Sequence, residues 1–124
     1  MTKVYIFSFL ALIGIGLITS NLSSTPNQIL KTRLQIIVRN DLGNIVAGAK
    51  VQLYGTKADY DASKNPVTDI KITNDKGSIN FDELEKKVYY VNVEKGSANN
   101  FNAGVQTDTL KPNRINKVTI VISE

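Results

Sequence analysis

At 124 residues with a formal net charge of +4, the chain has room for one domain of roughly one hundred residues once its hydrophobic amino terminus is set aside. It holds no cysteine and no histidine. That excludes a disulfide framework, a lipid-modified cysteine, thiolate or imidazole metal sites and most hydrolytic arrangements that move protons near neutral pH.

Lys3 precedes an apolar run from Val4 to Ile18, and small polar residues follow at Thr19, Ser20, Asn21, Ser23 and Ser24. A positive start, an apolar middle and a polar exit describe an export signal. The run falls short of the roughly twenty residues that span a bilayer as a helix, so residues 1–22 are expected to be a signal peptide, with a retained signal anchor as the alternative. Residues 23–31 carry Pro26 and no apolar period and are expected to be a linker. The sandwich domain is expected over 32–124, in the periplasm, at the cell surface or secreted.

Along the domain, Leu34, Ile36 and Val38 alternate with Arg33, Gln35, Ile37 and Arg39, the period-two signature of a strand with one face buried. Asn40 to Asn44 supply a turn around Gly43. A second strand runs from about Lys50 to Tyr54 with Val51 and Leu53 on one face. Gly55 to Pro66 is polar, turn-rich and longer than the usual connection, which makes it a candidate functional loop. Val67 to Thr73 restores alternation through Thr68, Ile70 and Ile72. Asn74 to Gly77 is the strongest turn signal, with Asp75 expected to hold it, and Ser78 to Phe81 follows, so a hairpin is expected there.

Leu84 is expected to plug the core, and Val88 to Lys95 forms the next strand with Tyr89, Val91 and Val93 on one face. Gly96 to Asn102 is a second candidate loop, Val105 to Leu110 a weaker strand, and KVTIVISE closes the chain with Val118, Ile120 and Ile122 sharing a face. Seven short strands and no helical period predict an all-β sandwich of two antiparallel sheets. The apolar pattern is then consumed by the core.

Asp41, Leu42 and Gly43, then Val46, Gly48, Ala49, Val51, Leu53 and Tyr54, stand in a recognisable order. They are followed by Thr73 to Gly77 with Ile79, Phe81 and Leu84, and by the strand carrying Tyr89, Tyr90, Val91 and Val93. This order resembles the carboxypeptidase-regulatory-like, or prealbumin-like, domains of bacterial envelope and secreted proteins, including transthyretin-like domains and the B-type repeats of surface adhesins. The resemblance implies a seven-stranded antiparallel Ig-like or prealbumin-like sandwich over roughly Arg33 to Glu124. It implies little about function, because its motifs are turn and core residues. The internal Lys to Asn isopeptide bond of adhesin repeats is not carried over. The first strand offers only Arg33 and Arg39, and the last reads VTIVISE without asparagine. The transthyretin-like hydrolases rely on histidines, which are missing here.

Six loop residues remain as candidate partner contacts: Asp59, Tyr60 and Asp61 in the first loop and Asn99, Asn100 and Phe101 in the second. Asp59 and Asp61 with Asn65 could offer oxygens to calcium, but the rest of a calcium ligand set is missing, so the loop reads as solvated. Tyr54 and Tyr90 read as cross-strand packing, while Phe101 either tucks under its loop or marks a contact. Asp82, Glu83 and Glu85 read as a solvated turn rather than a paired acid and base.

No catalytic residue, metal or cofactor is expected. The expected role is a non-catalytic binding or structural module of the cell envelope that docks another envelope or surface protein; the alternative is a small-ligand or carbohydrate-binding sandwich. The absence of tryptophan weakens a carbohydrate platform. No nucleic-acid partner is expected, because the 15 basic residues are scattered and the densest run, Lys86 and Lys87, sits beside Glu83 and Glu85. Membrane contact is expected only through the amino-terminal segment, if it is retained.

Overall fold

The structure is a computed structural model and describes residues 31–124; the expected signal segment and all but the last residue of the linker lie outside the described residues. The elements in chain order are β1 (Arg33–Asn40), β2 (Lys50–Tyr54), α1 (Lys57–Ala62), β3 (Lys71–Ile72), β4 (Ser78–Phe81), β5 (Tyr90–Lys95), β6 (Ala98–Asn99) and β7 (Ile115–Ile122). They form a three-stranded sheet in the order β4–β1–β7 and a four-stranded sheet in the order β3–β2–β5–β6.

Period-two alternation builds the core. Leu34, Ile36 and Val38 of β1, Val51 and Leu53 of β2, and Val91 and Val93 of β5 are fully buried, joined by Phe81, Tyr89, Ile120 and Ile122. At about 1.5–3 kcal/mol for each large apolar side chain, this layer supplies the main drive for closing one sheet on the other. Leu84 packs against its rim. A bridge between Asn99 and Ser123 ties β6 to the end of β7 and joins the two sheets along one side.

The architecture is an all-β sandwich with seven strands, but four local expectations are corrected. First, β1 pairs with β7 in parallel, Arg33 opposite Ile115 through Asn40 opposite Ile122, so the three-stranded sheet is mixed. Its last strand also begins earlier than expected and does contain an asparagine. The Asn116 amide donates to the carbonyls of Arg33, Lys111 and Arg114, pinning the entry of β7 onto β1.

Second, β3 and β4 are not a hairpin. β3 pairs with β2 in one sheet and β4 with β1 in the other, so the Asn74–Gly77 turn carries the chain across the sandwich. The Asn74 side-chain oxygen, not Asp75, holds that turn by accepting from the amides of Lys76 and Ser78.

Third, the regular strands expected over 67–73 and 105–110 are reduced to edge pairings in which threonine hydroxyls stand in for main-chain carbonyls. Thr68 accepts from the amide of Leu53, Thr73 from Ala49 and Thr107 from Tyr89. The alternation of 67–73 is therefore not a buried face: Ile70 and Ile72 are 53% and 52% exposed. Fourth, the loop after β2 contains the helix α1. It buries none of its residues, so it has no apolar period to betray it.

Candidate functional site

Because Val51, Leu53, Val91 and Val93 point inward, the alternate residues of β2 and β5 line the outer face of the four-stranded sheet. Antiparallel register sets Tyr54 opposite Tyr90, Gln52 opposite Asn92 and Lys50 opposite Glu94. One end of this face is aromatic and the other is polar.

α1 lies across the aromatic end. Thr56 caps it, its hydroxyl accepting from the amide of Asp59 at 3.1 Å, and Ser63 ends it in the left-handed region at φ 53°. A Lys57–Asp61 pair at 2.6 Å adds only a few tenths of a kcal/mol, since both side chains face solvent. What fastens the helix to the sheet is Tyr60, whose ring meets Tyr54 edge-on at 5.7 Å and lies 6.4 Å from Tyr90.

The second loop forms the facing wall. Its anchor is Asn100, fully buried beside the edge of β5. The Asn100 side-chain oxygen accepts from the amide of Val93, and its nitrogen donates to the carbonyls of Val91 and Gly104. Asn99 turns the chain by accepting from the amide of Phe101. Phe101 is thereby held in the open, 58% exposed.

Between these walls lies a hollow of about 260 Å³ lined by Tyr60, Asp61 and Phe101 from the loops and by Asn92 and Glu94 from the strand. The Asn92 amide donates to the Glu94 carboxylate at 2.9 Å. A second hollow of about 300 Å³ adjoins it, sharing Tyr54, Ser63, Asn92 and Glu94 and extending to Lys50, Gln52 and Ile70. Two larger hollows offer less. In that of about 330 Å³ along 107–118, the Asn116 amide is consumed by main chain. In that of about 470 Å³ near Ile122, the Lys95 ammonium already donates to the carbonyl of Ala47.

Of the six residues nominated from sequence, the fold brings Tyr60, Asp61 and Phe101 into one hollow. Asn100 leaves the contact set, since its side chain is buried and fully engaged with the main chain. Asn99 serves its own turn. Asp59 and Asp61 do not converge: residues two apart on a helix point about 200° from one another, Asp59 pairs with Asn65 at 3.4 Å, and Asp61 pairs with Lys57. No group of three acidic residues able to hold a metal ion occurs among the described residues. Asn92 and Glu94 were missed by sequence reasoning. Their signal was the phase of the strand, out of step with Val91 and Val93.

The Tyr60 hydroxyl is buried without a hydrogen-bond partner among the described residues. Burial, followed by the nearby charge of Asp61, raises its pKa above the usual tyrosine value. The folded chain therefore holds this proton more tightly than the unfolded chain does. That contribution is complete below the ordinary tyrosine pKa near 10 and is lost as pH rises through the higher folded value. Tyr60→Phe removes the orphan hydroxyl and keeps the ring, so it is expected to leave thermal stability equal or raise it by up to about 1 kcal/mol. It should also flatten the loss of stability above pH 10, which thermal melts from pH 7 to 11 would measure.

No family model and no curated protein sequence matches the chain. Among solved structures it is similar to the major pilin subunit of Bacillus cereus, at a TM-score of 0.50 and 17% identity, over 77% of this chain and 30% of that one. The chain thus spans less than a third of that pilin's length. It is also similar to a Pseudomonas aeruginosa protein provisionally described as carbohydrate binding, at a TM-score of 0.46 and 17% identity, over 82% of this chain and 99% of that one. The likeness to the pilin is one of fold, a β-sandwich.

Proposed function

We propose that this chain is a non-catalytic binding module of the cell envelope or exterior, and that its binding face is the outer face of the four-stranded sheet between α1 and the loop carrying Phe101. One observation carries this reading. Tyr60 and Asp61 from one loop and Phe101 from the other, some forty residues apart in sequence, line a single hollow floored by Asn92 and Glu94. A merely structural sandwich has no need to hold an aromatic ring in solvent over a polar strand face, whereas a recognition surface does.

The apolar run at 4–18 supports export, and the partner is then a component of the envelope or the surface. A non-catalytic role is supported by the chemistry of the groove, whose ionisable side chains are carboxylates, lysine and tyrosine without a histidine or cysteine to activate.

The test is binding of the labelled full-length chain to isolated cell envelopes of the organism that makes it. Phe101→Ala is expected to weaken binding at least tenfold, while Leu42→Ala, at an 83% exposed residue outside the groove, is expected to leave it unchanged. Equal binding by all three proteins, or no binding by any, would overturn the reading.

A further inference from the structure

Resting on that reading of the face, we propose that the groove binds a neutral saccharide chain of at least two rings, stacked on Phe101 and hydrogen-bonded by Asn92, Glu94 and Asp61. A pyranose presents two chemistries at once: an apolar face of C–H groups and a rim of hydroxyls that both donate and accept. The groove offers the complement of each. Phe101 gives an aromatic ring at the loop tip, more than half exposed. The Asn92 amide and the Glu94 carboxylate lie two residues apart on the same strand face, 2.9 Å from one another. With one N–H of Asn92 given to one Glu94 oxygen, the second N–H and the second carboxylate oxygen supply a donor and an acceptor for two adjacent hydroxyls of one ring.

The length of the ligand follows from the shape. The second hollow shares Tyr54, Ser63, Asn92 and Glu94 with the first and continues along β2 and β5 past Gln52 to Ile70, whose side chain is 53% exposed. A single ring fills one hollow, and a linked second ring follows the strands into the other. Ile70 offers it an apolar patch, beside a Gln52 amide that already donates to the carbonyl of Thr68.

Charge selects the class. The protein as a whole is basic at +4, yet the hollow beside Phe101 is edged by the carboxylates of Asp61 and Glu94. Lys57 pairs with Asp61, and Lys50 stands opposite Glu94 in register, so the groove is balanced rather than cationic. Uronic acids, sialic acids and phosphate-bearing polymers would find no net positive charge there to offset the desolvation of their anions. A neutral ligand meets no such penalty.

The experiment is titration of the full-length chain with cellotetraose, mannotetraose and chitotetraose, with tetragalacturonic acid as the acidic counterpart. Tyrosine fluorescence is the readout, because no tryptophan obscures it. At least one neutral tetrasaccharide is expected to bind and the acidic one to bind at least tenfold more weakly. Phe101→Ala and Glu94→Gln are each expected to weaken binding tenfold or more.

Envelope preparations oxidised with periodate provide the second arm. Loss of envelope binding on oxidation supports the saccharide. Envelope binding that survives oxidation, together with no response to any neutral tetrasaccharide, overturns the saccharide and leaves a protein partner at the same face. Preference for tetragalacturonic acid overturns the charge argument.

Discussion

Asn100→Ala is expected to lower the melting temperature by roughly 12–24 °C, corresponding to about 3 kcal/mol at about 4–8 °C per kcal/mol for a domain of this size. The side chain is fully buried, and its three hydrogen bonds all go to main chain: from the amide of Val93, and to the carbonyls of Val91 and Gly104. β5 needs a partner on this edge, and none of the flanking strands reaches it here. Ala98–Asn99 pairs with Glu94 and Lys95, and the chain returns at Val105, whose carbonyl accepts from the amide of Val91. Asn100 fills the interval as a side-chain substitute for a strand.

Alanine would leave the buried Val93 N–H and Val91 carbonyl without partners, each at a cost of about 1–3 kcal/mol before the loop relaxes and water enters, while the carbonyl of exposed Gly104 turns to solvent. Asn99→Ala removes a single turn bond at a partly exposed site and is expected to cost about 1 kcal/mol or less. Thermal melts of the two variants side by side provide the measurement. A fall of less than about 4 °C for Asn100→Ala would refute this account of the edge.

The same asparagine shows what the sequence could and could not reveal. In the run SANNF, Asn99 and Asn100 are chemically identical, and a polar loop residue reads as a surface residue until the fold places it. Period-two alternation was informative wherever a strand is buried on one face: Leu34, Ile36, Val38, Val51, Leu53, Val91 and Val93 are all fully buried. It misled at 67–73, because the pattern of Thr68, Ile70 and Ile72 lies on a sheet edge. There the threonines pair with main chain and the isoleucines face solvent.

The parallel pairing of β1 with β7 could not be read at all, since side-chain alternation carries no information about strand direction. α1 stayed hidden because six residues with a threonine cap and no buried face leave no periodic trace. Both candidate loops were identified by length and polarity, and Tyr60, Asp61 and Phe101 within them do meet. Their meeting depends on the register of β2 with β5, a long-range property. Asn92 and Glu94 become site residues only once that register is known.

Gly77→Ala is expected to destabilise the domain by about 2–4 kcal/mol, and the comparison with Gly43→Ala explains why. Both glycines have left-handed backbones, φ +70° at Gly77 and +87° at Gly43, so each alanine incurs a conformational cost of about 1 kcal/mol. They differ in what surrounds the added carbon. At Gly43 nothing lies within 4 Å; at Gly77 a methyl would stand 2.9 Å from the carbonyl oxygen of Val38 and 3.2 Å from both the Ile45 side chain and the amide of Val46.

These neighbours cannot give way cheaply. The Val38 carbonyl accepts from the amide of Val46, and the amide of Val38 donates to the carbonyl of Gly77 itself, so moving the contact loosens both bonds. Forcing a methyl into such packing typically adds about 1–3 kcal/mol. The turn also carries the chain from the four-stranded sheet to the three-stranded one, so strain there acts on the closure of the sandwich rather than on one hairpin tip. Chemical denaturation of Gly77→Ala and Gly43→Ala is therefore expected to place Gly77→Ala lower by about 1–3 kcal/mol. Equal losses in the two variants would show that backbone conformation alone, and not the close approach of Val38, fixes glycine at this crossing.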